Sequence, residues 1–458
     1  MPGLLSALYD AAPPLRPLMA SLRGWQLRRE RFGRETESLV QQALERDRWT
    51  ATQWQDWQAE RLSTVLEIAA QVTTPYRNWW VERNGLADGS WRDLRNWPVL
   101  EKESLRKEAA LYLAAGVDPR KLTQIQTSGS TGTPLKLWHS RRTQRAWYAL
   151  FEARCRRWYG VSGHDRWAIL GGKIIKPVRE ARPPYWVWNA VMRQLYLSTY
   201  HLSPERVSCY LDALLKYQVK YLLGYPSALN ELAIEALQRG RNDVHLKVVV
   251  TNAEPLSPQQ RDVIGRAFGC PVRNTYGLSE YAAGASECEA GNMHLWPDAG
   301  ILEVRDADGN IAPSGRGELV ATSLLKQEMP LVRYSVGDFG RLASSTEGCD
   351  CGRTLPLLGE IEGRTDDIVI TTTGARIGRL DPVFKVDIPI RESQIVQETL
   401  DRFLVRYVPA EGFRPEHEQQ IAGYLREFVG PVQVRFESVA RVPRTASGKL
   451  KSVVSLLP

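Results

Sequence analysis

The sequence is poor in cysteine and in long apolar runs. Six cysteines in 458 residues are too few for a disulfide scaffold, so each is a buried, reactive or metal-bound residue. No stretch approaches the roughly 18 uninterrupted apolar residues that a membrane span requires. Pro13, Arg16 and Pro17 break the first segment where a signal peptide has its apolar run. We therefore expect a cytoplasmic protein without a transmembrane span.

The sequence also lacks a strong excess of one charge. Sixty Lys and Arg residues against 52 Asp and Glu residues give a net charge of +8, and the pI is about 9.1. This balance is compatible with nucleic acid, an anionic membrane or a phosphorylated small molecule as partner. No basic stripe is interleaved with aromatic residues, so we expect no nucleic acid. The absence of repeats and low-complexity tracts excludes solenoids and disordered arrays.

What is present predicts an α/β protein in three parts. Over residues 1–115, apolar residues such as Trp54, Leu62, Val65 and Ala69 recur at helical spacing and predict a helical N-terminal subdomain. An arginine-rich segment at 23–34 fits either a solvated helix face or an arm that makes peripheral contact with an acidic lipid surface. Residues 116–365 form the predicted core, and residues 366–458 a small, mobile C-terminal α/β lobe.

Short apolar strands followed by helices predict a largely parallel or mixed sheet in the core. Strands are predicted at 221–223 and 248–250, and a third is predicted to end at Thr275. Loops around 225, 252 and 277 would then lie at strand ends of the same sheet. Open α/β sheets place their ligands at such strand ends.

The most specific segment is a loop of glycine and hydroxyl residues. Its glycines allow backbone amides to face an anion, which suits a polyphosphate, although a flexible surface loop has the same composition. The glycine-to-lysine spacing of a Walker loop is absent. The loop consists of Thr127, Ser128, Gly129, Ser130, Thr131, Gly132 and Thr133.

Four further segments follow in a fixed order. Residues 274–280 offer the ring of Tyr276 for a base and the carboxylate of Glu280 for a metal, and 333–338 place Asp338 after a predicted tight turn. Residues 363–367 precede Gly374, and a Ser-Gly-Lys sequence ends at Lys449. Any one of these is common as a plain turn, but five such segments in this order indicate a shared nucleotide site.

Together these segments resemble the adenylate-forming superfamily of acyl- and aryl-CoA ligases, carrier-loading adenylation domains and luciferases, over residues 120–450. The sequences at 97–102 and 223–229 resemble the phenylacetate-CoA ligase branch, and 391–398 resembles a subgroup linked to capsular and other surface polysaccharides. The resemblance implies that a carboxylate attacks the α-phosphate of ATP and that pyrophosphate leaves. The acyl-adenylate is then transferred to a thiol or an amine.

The resemblance also implies residue roles and the cofactors ATP, Mg²⁺ and CoA. Lys449 and Glu280 would be catalytic, Glu280 as a magnesium ligand, and Asp366 would be the hinge between the lobes. Two departures from the family pattern are Leu135 after the phosphate loop and the Tyr-Ser-Val-Gly-Asp sequence at 334–338. The ATP- and AMP-binding residues would be the loop 127–133 with Asn252, Ala253, Glu254, Tyr276, Gly277, Ser279, Asp338 and Arg364. Tyr225, Ala253 and Gly277 would border the acid pocket.

Cysteine spacing suggests a second kind of site. Cys349 and Cys351 form a close pair, and Cys288 with His294 adds a thiolate and an imidazole about 55 residues earlier. These four ligands suit a closed tetrahedral zinc site, although the spacing is not that of a zinc finger. Buried, metal-free cysteines remain the alternative.

Three functions are compatible with the sequence. The first is an AMP-forming ligase that makes an aryl- or acyl-CoA from a small carboxylic acid. The second transfers the acyl-adenylate to an amine or a carrier-protein thiol, with a surface-glycan precursor as partner. The third is a non-catalytic basic protein that binds nucleic acid or anionic membrane. The charged residues of the ATP site are all present, which disfavours the third function.

Overall fold

A computed structural model gives the fold. The structure describes residues 13–127, 135–177, 180–253, 256, 258–306, 308–344, 348–361, 369–374, 376–377, 380, 383, 388–440, 442–443 and 453–457. Several predicted site residues therefore lie outside the described residues. They are 128–133 of the phosphate loop, Glu254, Arg364, Asp366 and Lys449.

The described parts of the chain contain ten α-helices. They are α1 (Arg16–Arg31), α2 (Thr36–Arg46), α3 (Ala51–Val72), α4 (Thr74–Val81), α5 (Lys102–Lys107), α6 (Arg141–Cys155), α7 (Val207–Lys216), α8 (Pro226–Gln238), α9 (Pro258–Phe268) and α10 (Pro415–Val429). None of the helices described here combines the length and the apolar character that a membrane crossing needs.

The N-terminal part is helical, as its periodicity predicts. Helix α3 begins at a capping box in which Thr50 and Gln53 satisfy each other's backbone N–H groups. Val65 and Leu66 of α3 are fully buried, and they share one core with sheet residues such as Leu319 and Tyr334. The N-terminal helices therefore cover the sheet rather than enclosing a core of their own.

Twenty-one strands are found in the described residues. They are β1 (Thr123–Thr127), β2 (Leu135–His139), β3 (Trp167–Gly171), β4 (Trp186–Asn189), β5 (Gln194–Ser198), β6 (Tyr221–Gly224), β7 (Val248–Thr251), β8 (Val272–Gly277), β9 (Gly284–Glu287), β10 (Met293–Leu295), β11 (Gly300–Arg305), β12 (Ile311–Ala312), β13 (Gly315–Ser323), β14 (Tyr334–Leu342), β15 (Leu357–Ile361), β16 (Val369–Ile370), β17 (Arg376–Ile377), β18 (Ile390–Gln397), β19 (Arg402–Pro409), β20 (Gln433–Ser438) and β21 (Val453–Ser455).

Thirteen strands form one mixed sheet in the order β12-β11-β13-β14-β15-β10-β9-β8-β7-β6-β3-β5-β4. Strands β5, β3, β6, β7 and β8 are parallel neighbours, and the pairing becomes antiparallel from β8 to β9 onward. The predicted α/β class with a mixed sheet is confirmed. The carboxyl ends of the five parallel strands meet at one edge, where the sequence places its loops.

Two local predictions were wrong. Strand β8 does not end at Thr275 but continues through Tyr276 and Gly277, which pair with Ala285 and Gly284 of β9. Asp338 does not follow a tight turn, because it lies inside β14. The glycine before it, Gly337, has a φ of +79°, a backbone conformation that a residue with a Cβ seldom adopts.

The C-terminal part has its own four-stranded sheet, in the order β20-β19-β18-β21. Helix α10 covers it, and Ile395, Phe403 and Ile421 are fully buried or nearly so in a separate core. Tyr200 of the larger body belongs to this core, and its ring centroid lies 4.9 Å from that of Phe428. An aromatic contact therefore joins the small sheet's core to the larger body.

Candidate active site and metal centre

An open cavity of about 530 Å³ lies at the carboxyl ends of β3, β6 and β7. Of the predicted acid-pocket residues, Tyr225 lines it. Asn252, a predicted nucleotide-binding residue, also lines it from the end of β7. The other lining residues are Ile169, Leu170, Gly171, Gly172, Lys173, Ile174, Tyr196 and Gly224. Ala253 follows Asn252 with a φ of +66°, while Gly277 lies at the end of β8.

Polar side chains fix the ends of β7 and β8 against each other. The hydroxyl of Thr251 donates to Asn274 Oδ1 over 2.9 Å, and Thr275 Oγ1 donates to the carbonyl of Thr251 over 2.7 Å. The backbone N–H of Asn274 donates to Glu287 over 2.9 Å. These bonds hold the Asn252 turn and Tyr276 on adjacent strands in a fixed relation.

Tyr276 and Asp338 are 62 positions apart in sequence, and the structure brings them together. The tyrosine hydroxyl donates to Asp338 Oδ2 over 2.9 Å, and both side chains are half-buried. One side of the site therefore presents an aromatic face beside a carboxylate. This arrangement suits a nucleoside, since a ring can stack on the base and a carboxylate can accept from sugar hydroxyls.

Glu280 is buried, with 4% of its surface exposed. Its Oε1 accepts from the hydroxyl of Tyr334 over 3.0 Å and lies 4.0 Å from Lys102 Nζ. Lys326 is fully buried nearby, and burial lowers its pKa to about 8 although Glu328 and Glu280 oppose that shift. The Glu280 carboxylate thus lies close to two lysine side chains, Lys102 and Lys326.

His139 fixes the turn that carries Glu280. Its Nε2 lies 3.1 Å from the carbonyl of Ser279, and its ring stacks on Tyr281 at a centroid distance of 4.2 Å. Burial, together with the charge of Lys326, holds the pKa of His139 well below its usual range. The ring is therefore neutral, with Nε2 as the nitrogen that donates to the carbonyl.

Sequence reasoning missed three neighbours of Glu280, namely Lys102, Lys326 and Tyr334. Lys102 ends the segment 97–102, which we used only as a family marker. Leu100 of that segment bridges to Tyr334, so a signal for its position beside the site was present. Lys326 gave no such signal, because nothing in its local sequence distinguishes a buried lysine.

Cys288, His294, Cys349 and Cys351 each place one ligand atom within 4.8 Å of the others. The Sγ atoms of Cys288 and Cys349 are 3.6 Å apart, and Cys351 Sγ lies 3.3 Å from His294 Nε2. Zinc–sulfur bonds of about 2.3 Å in a tetrahedron separate two sulfurs by about 3.8 Å. The four residues therefore fit a zinc ion.

The surroundings of this cluster also match those of a metal centre. His294 Nδ1 donates to the carbonyl of Leu355 over 3.0 Å, which directs Nε2 towards the cysteines. Asn292 Nδ2 donates to Cys349 Sγ over 3.3 Å. The cluster ties the turn before β15 to strands β9 and β10, so a metal there would be structural.

The sequence and fold have known counterparts. Residues 369–455 match a family model described as the CapK C-terminal domain. The chain is 25% identical to protein CapK of Staphylococcus aureus over 375 residues, covering 79% of this chain and 80% of that protein. It is also 32% identical to a phenylacetate-coenzyme A ligase of Thermus thermophilus over 265 residues, covering 50% and 59% of the two chains.

The chain is similar in sequence to CapK and to members of the adenylate-forming superfamily. The similarities within this superfamily are to CapK and the phenylacetate-CoA ligases. The adenylate-forming fold extends over most of the chain. A 2-hydroxyisobutyryl-CoA ligase, solved with 2-HIB-AMP and CoA, superposes with a TM-score of 0.59 at 22% identity, covering 90% of this chain and 91% of that chain. The superposition shows the fold, and the sequence similarity to phenylacetate-CoA ligases indicates an enzyme of the AMP-forming ligase class.

Proposed function

We propose that this adenylate-forming enzyme activates an aryl or related small carboxylic acid as its acyl-adenylate and then transfers the acyl group to CoA. The observation that carries the proposal is the position of the Tyr276–Asp338 pair and Glu280 at the sheet edge that also holds the open cavity. ATP and CoA are cytoplasmic metabolites, so we place the reaction there.

The first half-reaction would use the predicted nucleotide-binding residues. Tyr276 would stack on adenine, Asp338 and Arg364 would bind the ribose, and the loop 127–133 would hold the β- and γ-phosphates with its amides. The acid carboxylate attacks the α-phosphorus, and the bond to pyrophosphate breaks. The acid would enter through the cavity beside Tyr225, which adjoins the Asn252 turn.

Glu280 fits the magnesium ion that this chemistry employs. Its hydrogen bond with Tyr334 uses Oε1, and Mg²⁺ is commonly held by one or two carboxylates together with substrate phosphates and water. The ion neutralises charge on the triphosphate when it is bound. Lys102 Nζ, 4.0 Å from the same oxygen, lies where it would add positive charge beside those phosphates.

We also propose roles for two residues outside the described structure. Lys449 would approach the bridging oxygens during adenylation and withdraw before transfer, because the two half-reactions need different faces of the small lobe. Asp366 would be the hinge for that rotation. The small lobe carries its own core, as such a rotation requires.

A second acceptor is favoured by one observation. The C-terminal domain matches that of CapK, and the segment 391–398 resembles a subgroup linked to surface polysaccharides. The alternative is therefore transfer to an amine or a carrier-protein thiol in the synthesis of a surface glycan. The catalytic residues of adenylation would be the same.

One pair of assays separates these functions. ATP–pyrophosphate exchange is measured across aryl, fatty, hydroxy and amino acids, and free CoA is then added with the best acid. Stoichiometric thioester formation supports the CoA ligase. Exchange without consumption of CoA supports the alternative acceptor, and a folded, ATP-binding protein that exchanges with no acid contradicts both.

Asp338→Ala should raise the KM for ATP in the exchange assay by about tenfold or more, since hydrogen bonds to a charged group contribute about 1.5–3 kcal/mol. Tyr276→Phe keeps the ring and removes only the hydroxyl that donates to Asp338. We expect an increase of about two- to tenfold for that variant. Asp262→Ala, on the exposed face of α9, is the control. Equal KM values for Asp338→Ala and the control would refute the ribose assignment.

A further inference from the structure

The cavity at the sheet edge contains one cation that the proposed reaction does not use. Lys173 comes two residues after β3 and lines the cavity, and its side chain remains accessible to solvent. Its Nζ lies 4.4 Å from the ring centroid of Tyr196, on the next strand. Tyr196 is itself a lining residue, so this contact holds the ammonium against the cavity wall.

The charge on Lys173 is not neutralised by the described part of the chain. No described carboxylate lies within ion-pair distance of its Nζ, and the charged groups that act on it are Arg23 and Arg31, both cations. Desolvation by the surrounding protein, together with these two charges, lowers the pKa of Lys173. A cation that lies near other cations beside a cavity attracts an anionic group.

The other residues that line the cavity restrict the chemical class of the ligand. Ile169, Leu170 and Ile174 supply apolar surface, and Tyr225 supplies an aromatic ring with a hydroxyl. A ligand with a carbon skeleton and a charged end fits these walls better than a purely apolar acid, because an apolar acid leaves the ammonium without a partner as it displaces water.

We propose that the acid activated by this enzyme carries a second anionic group, and that Lys173 binds it. This inference rests on the proposed function, since it assigns the cavity to the acid substrate. The reacting carboxylate then points towards the nucleotide turn at Asn252, and the second acidic group lies against Lys173. The substrate class is a dicarboxylate or another acid with a distal anionic substituent.

The test compares acids that differ only in the second group. Exchange is measured with phenylacetate against 4-carboxyphenylacetate, and with hexanoate against adipate, without CoA. Wild-type enzyme should show a kcat/KM at least about tenfold higher for one of the diacids than for its partner, the discrimination expected from one charged contact. Lys173→Met should remove that preference and leave the monoacid within about twofold of wild type, and Lys173→Arg should restore the preference in part.

Lys216→Met is the matched control, because the Lys216 ammonium also lies near a tyrosine ring, 5.9 Å from the centroid of Tyr217, but on α7. Several results would overturn the inference while leaving adenylation intact. They are equal loss of mono- and diacid exchange in Lys173→Met, wild-type preference for monoacids, or the same diacid preference in Lys173→Met as in Lys216→Met. Exchange with no acid at all would instead remove the proposed function and this inference with it.

A separate observation concerns the outer face of α1. Leu18, Leu22 and Trp25 are 58%, 61% and 54% exposed, and their spacing of four and three residues puts them on one stripe of the helix. The opposite face packs on β4, where Gly24 is buried and a Cβ there would collide with Asn189. The apolar stripe therefore faces away from the protein.

Basic residues flank this stripe. Arg23, Arg28 and Arg29 are exposed, and the guanidinium of Arg29 lies 4.7 Å from the ring centroid of Trp25. Leucine and tryptophan on one face with arginine at its edge is the pattern of helices that lie in the headgroup region of a bilayer. We infer that α1 docks the enzyme on an anionic membrane surface.

Vesicle sedimentation of the full chain tests this inference. Binding to phosphatidylcholine vesicles with 30% phosphatidylglycerol should exceed binding to pure phosphatidylcholine and weaken as salt rises. Leu18→Ser with Leu22→Ser should reduce it by at least about tenfold, because both side chains would lose their apolar contact with the bilayer. A control with Leu400→Ser and Leu456→Ser, two leucines exposed elsewhere, should bind as wild type. Absence of binding, or equal loss in both double variants, would refute it.

Discussion

Lys449→Ala should lower acid-dependent ATP–pyrophosphate exchange by about 100-fold or more. Negative charge develops on the bridging oxygen as pyrophosphate leaves, and a positioned cation stabilises that charge more than it stabilises bound ATP. Removal of one such contact commonly costs about 2.7–4 kcal/mol. The KM for ATP should change much less than kcat, because the contact forms mainly in the transition state.

Lys451→Ala provides the matched control, because it removes the same charge two residues further along the chain. It should retain exchange within about twofold, because it removes a lysine charge without removing the proposed catalytic residue. A second control supplies the acyl-adenylate directly together with CoA. Lys449→Ala should form thioester from it at nearly the wild-type rate, because Lys449 is proposed to withdraw before transfer. Exchange by Lys449→Ala close to wild type would contradict the assignment.

Cys349→Ser should release a structural zinc ion and lower the melting temperature by about 5–10 °C. A tightly held ion stabilises the folded state by about 4 kcal/mol when its concentration is 1,000 times its Kd, and each kcal/mol corresponds to a few degrees for a large domain. The wild-type protein should contain about one zinc per chain. A strong chelator should shift its melting curve towards that of the variant.

Cys209→Ser is the control for the metal experiment. Cys209 is a free, half-buried cysteine on α7, and it lies outside the four-residue cluster. Its replacement should leave the zinc content unchanged. Purified protein without zinc, or a melting temperature insensitive to chelation, would show that the four residues form a metal-free cluster.

Local patterns predicted the parallel half of the sheet well. The apolar run at Tyr221 and the valines at 248–250 became β6 and β7, because a strand buried on both faces must be apolar throughout. The helical period around Trp54 and Val65 became α3. These elements are determined mainly by the pattern of neighbouring residues, so the local sequence is sufficient to predict them.

The site was only partly predictable. Tyr276, Asp338 and Glu280 stood out through motifs, but the hydrogen bond between Tyr276 and Asp338 depends on strands far apart in sequence. The sequence analysis did not predict that Asp338 lies inside β14, because a glycine such as Gly337 is a common turn signal. Gly337 instead continues the strand with a positive φ. The positions of the lysines around Glu280 depend on packing between distant segments, which the spacing of residues in the sequence does not indicate.

The metal cluster was also only partly predictable from the sequence. Their residue types suggested zinc, but two halves separated by about 55 residues gave no geometric evidence. Strand β10 pairs with β15, and this pairing brings His294 opposite Leu357, close to the turn that carries Cys349 and Cys351. The contact is a product of sheet topology, which single-sequence patterns do not determine.

Identification of the nucleotide product tests the central claim most directly. Wild-type enzyme is incubated with ATP, Mg²⁺, CoA and the acid that is best in exchange, and AMP, ADP and pyrophosphate are quantified together with the thioester. Our account predicts AMP and pyrophosphate in amounts that match the acid consumed, with none formed when the acid is omitted. Formation of ADP and phosphate instead, or of AMP that is independent of any acid, would contradict it.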